Sequence, residues 1–172
     1  RLFGPLGMTS SGFGVPQHVR GHNGSTPSAL DNPSSLGPAG TVKTSLPDWA
    51  AFCVAVSDGY GGRLAASHAL GGIDYTELLT KGDQGDAVTG GWYLDGDRLS
   101  HDGSNTWFYA RATVRYGAAA VSLSACNLGA QSAGRAFATA AEATMGGVQV
   151  PTAVSATDVV HTFDTFADMQ AG

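Results

Sequence analysis

Three carboxylates stand close together in "LDGDRLSHDGSN", residues 94–105. Asp95, Asp97 and Asp102 could supply hard oxygen ligands to a divalent cation such as Ca²⁺. Their spacing departs from the EF-hand loop, which places ligands at alternate positions and ends on a glutamate. Asp-Gly is also a common turn pair, so the stretch reads first as a polar hairpin loop. The three aspartates remain candidate metal ligands, and no cofactor is expected. Acid–base hydrolysis of a glycoside would need two carboxyl groups held across a cleft. Glu77, Asp95, Asp97 and Glu142 are available, but fourteen acids in a chain allow such pairs by chance.

Other reactive residues are scattered. His18 and His22 are four apart among Gly and Pro, which argues against the helix that would align them and suits exposed positions. His68, His101 and His161 are isolated. Cys53 and Cys126 lie in apolar runs, where thiols act as small buried hydrophobes; a single bridge in an oxidising compartment is the alternative. No nucleophile-elbow, zincin, phosphate-loop or dinucleotide-binding motif occurs. An enzyme is not expected, and a small hydrolase ranks third among the readings.

The aromatic residues point elsewhere. Tyr60, Trp92, Tyr93, Trp107 and Tyr109 could form a surface for sugar stacking or for a protein, or could simply be core. In 107–116 alternate residues fall on opposite faces of a strand. Trp107, Tyr109, Arg111, Thr113 and Arg115 share one face; Phe108, Ala110, Ala112, Val114 and Tyr116 share the other. Interface centres favour aromatics and Arg. The Trp107, Tyr109, Arg111 and Arg115 face is therefore expected to be buried against a second chain or a docked arm.

The elements that must position these residues are legible in part. The expected class is α+β: an antiparallel, hairpin-based sheet with packed helices, preceded by an extended Pro/Gly-rich arm. The arm spans 1–45 and a single domain 46–172. Within the arm, Gly14–Gly40 holds four prolines and five glycines. Such a composition disfavours regular elements, and Phe3 and Phe13 are its candidate interface anchors. A helix is expected from Ser45, which can cap it, with Pro47 and Asp48 in the first turn. A strand over 51–56 competes there. Short helices are expected within 61–72 and 73–82. Strands are expected at 88–94 and in a hairpin over 106–126, with Gly117 at its turn. A helix capped by Ser132 should run to Gly146, on a stripe of Ala133, Phe137, Ala140, Ala141 and Met145. A last helix should begin at Asp158.

Composition narrows the function classes. Of the 172 residues, 42% are hydrophobic and only 13% charged, and the net charge is −5. The charged share is about half the usual quarter. A surface so poor in charge fits burial against a partner, although a domain simply rich in Ala, Gly, Ser and Thr would look similar. Two lysines and seven arginines form no basic run, so a sequence-independent nucleic-acid footprint is missing. Arg111, Arg115 and Arg135 could make at most a small patch. No stretch is long and apolar enough for a membrane span. The first residue is Arg1, as expected of a processed product or of a piece of something longer.

Few charges, abundant small residues, no catalytic motif and a long Pro/Gly arm together resemble the structural proteins of virus or phage particles. That resemblance is one of style across the chain. It implies a capsid, decoration, protrusion or tail component that docks on subunits of the same or a different type, with no catalytic residue to carry over. It also implies a virion or other extracellular particle, with cytoplasmic assembly. A carbohydrate- or receptor-binding surface module is the runner-up.

Overall fold

Ser45 begins the longest helix among the described residues, as its composition predicts. Its Oγ accepts a hydrogen bond from the backbone N–H of Asp48 at 3.3 Å, satisfying one of the helix's unpaired first-turn donors. Pro47 lies in the first turn, where a missing N–H costs nothing. In the computed structural model, which describes residues 2–79 and 90–143, this helix (α2) spans Leu46–Tyr60. Before it lie β1 (Gly12–Phe13), β2 (Gly21–Asn23), β3 (Thr26–Ser28), the single-turn α1 (Gly37–Gly40) and β4 (Val42–Lys43). After it come α3 (Tyr75–Leu78), β5 (Tyr93–Asp95), β6 (Arg98–Ser104), β7 (Tyr109–Arg115), β8 (Ala120–Cys126) and α4 (Gln131–Ala143).

The protein is α+β. β5 to β8 form an antiparallel meander in sequence order. One face carries Leu99, Ala112 and Val114, which pack with Cys53 and Val56 of α2. Trp49, Phe52, Trp92, Leu94 and Leu123 close around them. Burial pushes the Cys53 thiol up to about 12, so it behaves as a small hydrophobe. Both cysteines are free. The opposite face carries Arg98, Ser100 and Asp102 of β6, Tyr109, Arg111 and Thr113 of β7, and Ser122 and Ser124 of β8. α4 crosses that polar face over β7 and β8.

Several expectations need correction. The stretch read as a polar loop is mostly β6. Only Gly96 and Asp97 turn the chain, with Gly96 at φ 60°, the left-handed backbone that a two-residue hairpin turn requires. Seven-residue pairing of β6 with β7 then outweighs the turn-forming composition of 102–104. Within 61–72 no helix forms. The His68 ring accepts the N–H of Leu70 at 3.2 Å, and tight turns close from His68 to Ala65 and from Gly71 to His68. A side chain that satisfies nearby backbone competes with the helix ladder. Trp107 leaves the alternation, because the Asn105 carboxamide oxygen accepts the N–H groups of both Trp107 and Phe108 and curls 105–108 into a connection. Ser132 lies inside α4 rather than before it. The expected 73–82 helix is present as α3, and its residues 80–82, the stop at Gly146 and the helix from Asp158 lie outside the described residues.

The β7–β8 turn differs too. Ala119, not Gly117, takes the left-handed backbone, at φ 51°. Gly117 instead lies close to Asp97: a Cβ there would stand 2.6 Å from a carboxylate oxygen, which would have to move aside. Left-handed backbone costs a residue with a Cβ about 1–2 kcal/mol. Ala119→Gly should therefore stabilise by up to about 1 kcal/mol after the added unfolded-state entropy is counted. Thermal melts check this, and a lowered melting temperature would contradict the turn geometry.

The arm, expected to lack regular elements, holds two short ladders, β1 with β4 and β2 with β3. It lies on its own chain. Asp48 Oδ2 accepts bonds from Ser10 N–H at 2.8 Å and Ser11 Oγ at 2.9 Å, and Met8 is buried. Among the described residues no helix is long and apolar enough to cross a membrane.

Candidate functional site

The polar face of the sheet gathers several charged groups. Glu142, near the end of α4, reaches down to β6 and β7. Its Oε1 accepts from Arg111 Nε at 2.5 Å and from Thr113 Oγ1 at 2.5 Å, and its Oε2 accepts from Arg98 Nη2 at 2.7 Å. Gly134 and Ala138 precede it at steps of four, on the same helix stripe. Both are buried, and a Cβ at Gly134 would enter the ring of Tyr109. The small residues thus let α4 approach until Glu142 can reach the arginines.

A second clasp sits beside the first. Asp102 Oδ2 accepts from the Tyr109 hydroxyl at 2.8 Å and from Arg135 Nε at 2.9 Å, with Arg111 Nη1 at 4.0 Å from Oδ1. Burial alone would raise the Asp102 carboxyl. The bonds from Tyr109 and Arg135 and the nearby guanidiniums outweigh that and hold it below its ordinary value. Glu142 follows the same logic: desolvation raises it, while bonds from Arg111, Thr113 and Arg98 win and lower it. Both directions are opposite to those of a general acid tuned for neutral pH. Burial first, then the Asp102 bond, raises the Tyr109 phenol.

Among the described residues the β5–β6 side of this face is open. A groove of about 490 Å³ remains there, lined by Tyr93, Asp95, Arg98, Ser100 and Arg111. Tyr93 is 53% exposed. Its ring lies 6.4 Å from that of His101 at an interplanar angle of 23°, and His101 Nδ1 is 2.6 Å from the carbonyl of Gly91.

No known family model and no curated protein matches this chain.

Asp95, Asp97 and Asp102, the candidate metal ligands, are not gathered into a cation site. Asp97 pairs with Arg115 at 3.2 Å, Asp102 is held by Tyr109 and Arg135, and Asp95 has no polar partner among the described residues. Among those residues no cluster of three or more His, Cys, Asp and Glu could hold a metal. Tyr109 is 2% exposed, but what covers it is α4 of the same chain rather than a second chain or the arm. Arg111 faces the same helix, and Arg115 is exposed. Trp107 does meet the arm: a Cβ on Gly21 would stand 2.5 Å from the Trp107 Cβ, and Trp107 O accepts the N–H of His22 at 2.9 Å. His22, expected to be exposed, is instead half-buried there, with Nδ1 3.1 Å from Asn127 O. Phe3 and Phe13 pack together at 5.8 Å, with Phe13 54% exposed.

Arg98 and Ser100 carry no expectation from the sequence, whereas Tyr93 is expected there among five aromatics that could form a surface for sugar or protein. The alternation Arg98, Ser100, Asp102 against Leu99 and His101 carried the signal, but the turn-like composition masked it.

Proposed function

We propose that this protein is a structural or assembly component of a large particle, docking on neighbouring subunits through its N-terminal arm and charge-poor surface. Further copies of this chain are the simplest such neighbours, and a virion is the particle its style fits. One observation supports the reading above others. Of the seven large hydrophobics exposed among the described residues, five lie between Phe13 and Val42: Phe13, Val19, Leu30, Leu36 and Val42. Leu30 is the most exposed, at 61%. Single exposed hydrophobics are ordinary; several in one short segment mark an interaction surface. A groove of about 540 Å³ opens among them, lined by Phe13, Val15, Asn32, Pro38 and Thr41. Arg20, Asp31 and Lys43 are the charged residues of 2–44, which suits the charge-depleted centre of an interface.

The test is light scattering after size exclusion, with negative-stain imaging, on the parent and on the triple variant Phe13→Ser, Leu30→Ser, Leu36→Ser. The parent should form oligomers whose mass rises with concentration. The variant should remain monomeric with its cooperative melt lowered only slightly, because Leu30 and Leu36 are exposed and Phe13 loses only its packing on Phe3. A parent that stays monomeric at every concentration, or a variant that assembles equally well, rejects the proposal.

A further inference from the structure

The open half of the polar sheet face has features that arm-mediated assembly does not use. We propose that the groove lined by Tyr93, Asp95, Arg98, Ser100 and Arg111 binds a neutral oligosaccharide.

Its walls hold uncommitted hydrogen-bonding capacity. A guanidinium carries five N–H donors in a rigid fork. Glu142 engages Arg98 through Nη2 and Arg111 through Nε, so each guanidinium keeps further donors without a close partner among the described residues. The same carboxylate fixes both forks in orientation, which lowers the entropy cost of using them again. Asp95, the cross-strand partner of Arg98, offers a carboxylate with no hydrogen bond or ion pair among the described residues. Ser100, buried beneath, adds a hydroxyl. Adjacent hydroxyls of a sugar ring both donate and accept, so they match an acceptor beside fixed donors.

The apolar requirement is met by Tyr93. A pyranose has a face of C–H groups, and an exposed aromatic ring provides a flat apolar surface for it. This ring is not loose. It stacks on His101, whose Nδ1 is held at the Gly91 carbonyl, and Trp92 approaches His101 edge-on at 6.5 Å. The cleft, at about 490 Å³, lies within the range of about 300–1,000 Å³ usual for small-ligand sites, and its mostly polar lining suits a polyol better than an apolar ligand.

Charge selects among ligands. Arg98 and Arg111 are balanced locally by Glu142 and Asp95. Just beyond them Arg115 is balanced by Asp97, and Arg135 by Asp102. An anionic ligand would gain from the guanidiniums but would meet Asp95 and Glu142 as like charges. A neutral polyol incurs no such repulsion.

A glycan array holding neutral, sialylated and sulfated oligosaccharides, followed by calorimetric titration with the best-retained glycan, tests the proposal on the full chain. Neutral glycans should be retained. Tyr93→Ala and Asp95→Asn should each weaken binding at least about tenfold, which is about 1.4 kcal/mol. Both side chains are exposed, so the melts should not change. Overturning results are no retention of any neutral glycan, retention of acidic glycans alone, or binding that survives both substitutions. The triple arm variant should bind as the parent does, so failure here and failure of the assembly reading are distinguishable.

Discussion

Replacing Glu142 with glutamine is expected to lower the melting temperature by about 4–8 °C, because about 2 kcal/mol is lost and a chain of this size shifts by about 2–4 °C per kcal/mol. Glu142 is the single acceptor for Arg98, Arg111 and Thr113 at once. Hydrogen bonds to a charged group contribute about 1.5–3 kcal/mol each in buried settings. Arg98 is one-third exposed, so its share is smaller. Glutamine keeps the shape but removes the charge, and its NH₂ group would face a guanidinium donor. Amide exchange should accelerate most in α4, since this residue ties the helix to the sheet. Acid should reproduce the effect in the parent. Glu142 and Asp102 both have folded values below their ordinary 4.5 and 3.8. Their contribution is complete above those ordinary values and is lost as pH falls through the lowered ones. Glu142→Gln should therefore shrink the acid loss of stability as well as lower the plateau. An acid limb as steep as the parent's, with α4 exchange unchanged, would mean that the clasp does not hold the helix.

That clasp also explains which parts of the fold were legible. α2 was readable because a capping serine, an early proline and the spacing of Trp49, Phe52, Cys53 and Val56 all agree with one another. β7 and β8 were readable because strict alternation over both strands matches their paired register. β6 was not, because Asp-Gly-Asp and Asp-Gly-Ser look like turns when read locally, and only pairing with β7 makes the second of them strand. The covering of the polar face was hidden for a different reason. α4 binds through Gly134 and Ala138, which carry almost no hydrophobic signal, and through charges whose partners are 31 and 44 residues away in sequence. Burial of Tyr109 beneath it could be anticipated as burial, but not the identity of the covering element. The groove was concealed with it, since Tyr93 and Arg98 become neighbours of Arg111 only once β5, β6 and β7 are aligned.

Gly21→Val is expected to release the β2–β3 hairpin from the sheet and to speed tryptic cleavage after the exposed Arg20 by about tenfold or more, for an opening free energy lowered by about 1.4 kcal/mol. The hairpin sits at the end of β7 and β8. His22 donates to Trp107 O at 2.9 Å and accepts from Gly129 N–H at 3.0 Å, and Asn127 Nδ2 donates to Arg20 O at 3.2 Å. Asn105 Nδ2 reaches Asp31 Oδ1 at 3.0 Å. These bonds require close approach, and Gly21 supplies it: any Cβ there would overlap the Trp107 Cβ and lie 2.6 Å from the Phe108 ring. The receiving backbone is itself strained. Thr106, a β-branched residue, is held at φ 82°, and its N–H bonds to Ser104 Oγ at 3.0 Å. Strain of this kind costs about 1–3 kcal/mol and persists where the surroundings enforce it. The core around Cys53, Leu99 and Val114 lies on the α2 face, so the cooperative melt should survive in Gly21→Val. Phe108→Ala probes the same contact from the other side. It removes the ring that lies against Gly21 without forcing a clash, and it should raise cleavage at Arg20 in the same direction. Following association in both variants separates two uses of the arm. If neighbours grip Phe13, Leu30 and Leu36 only while the hairpin is docked in place, both variants should assemble less. Assembly that is unchanged while cleavage rises would place the docked hairpin outside the assembly surface, and cleavage that does not rise would deny that Gly21 anchors the arm at all.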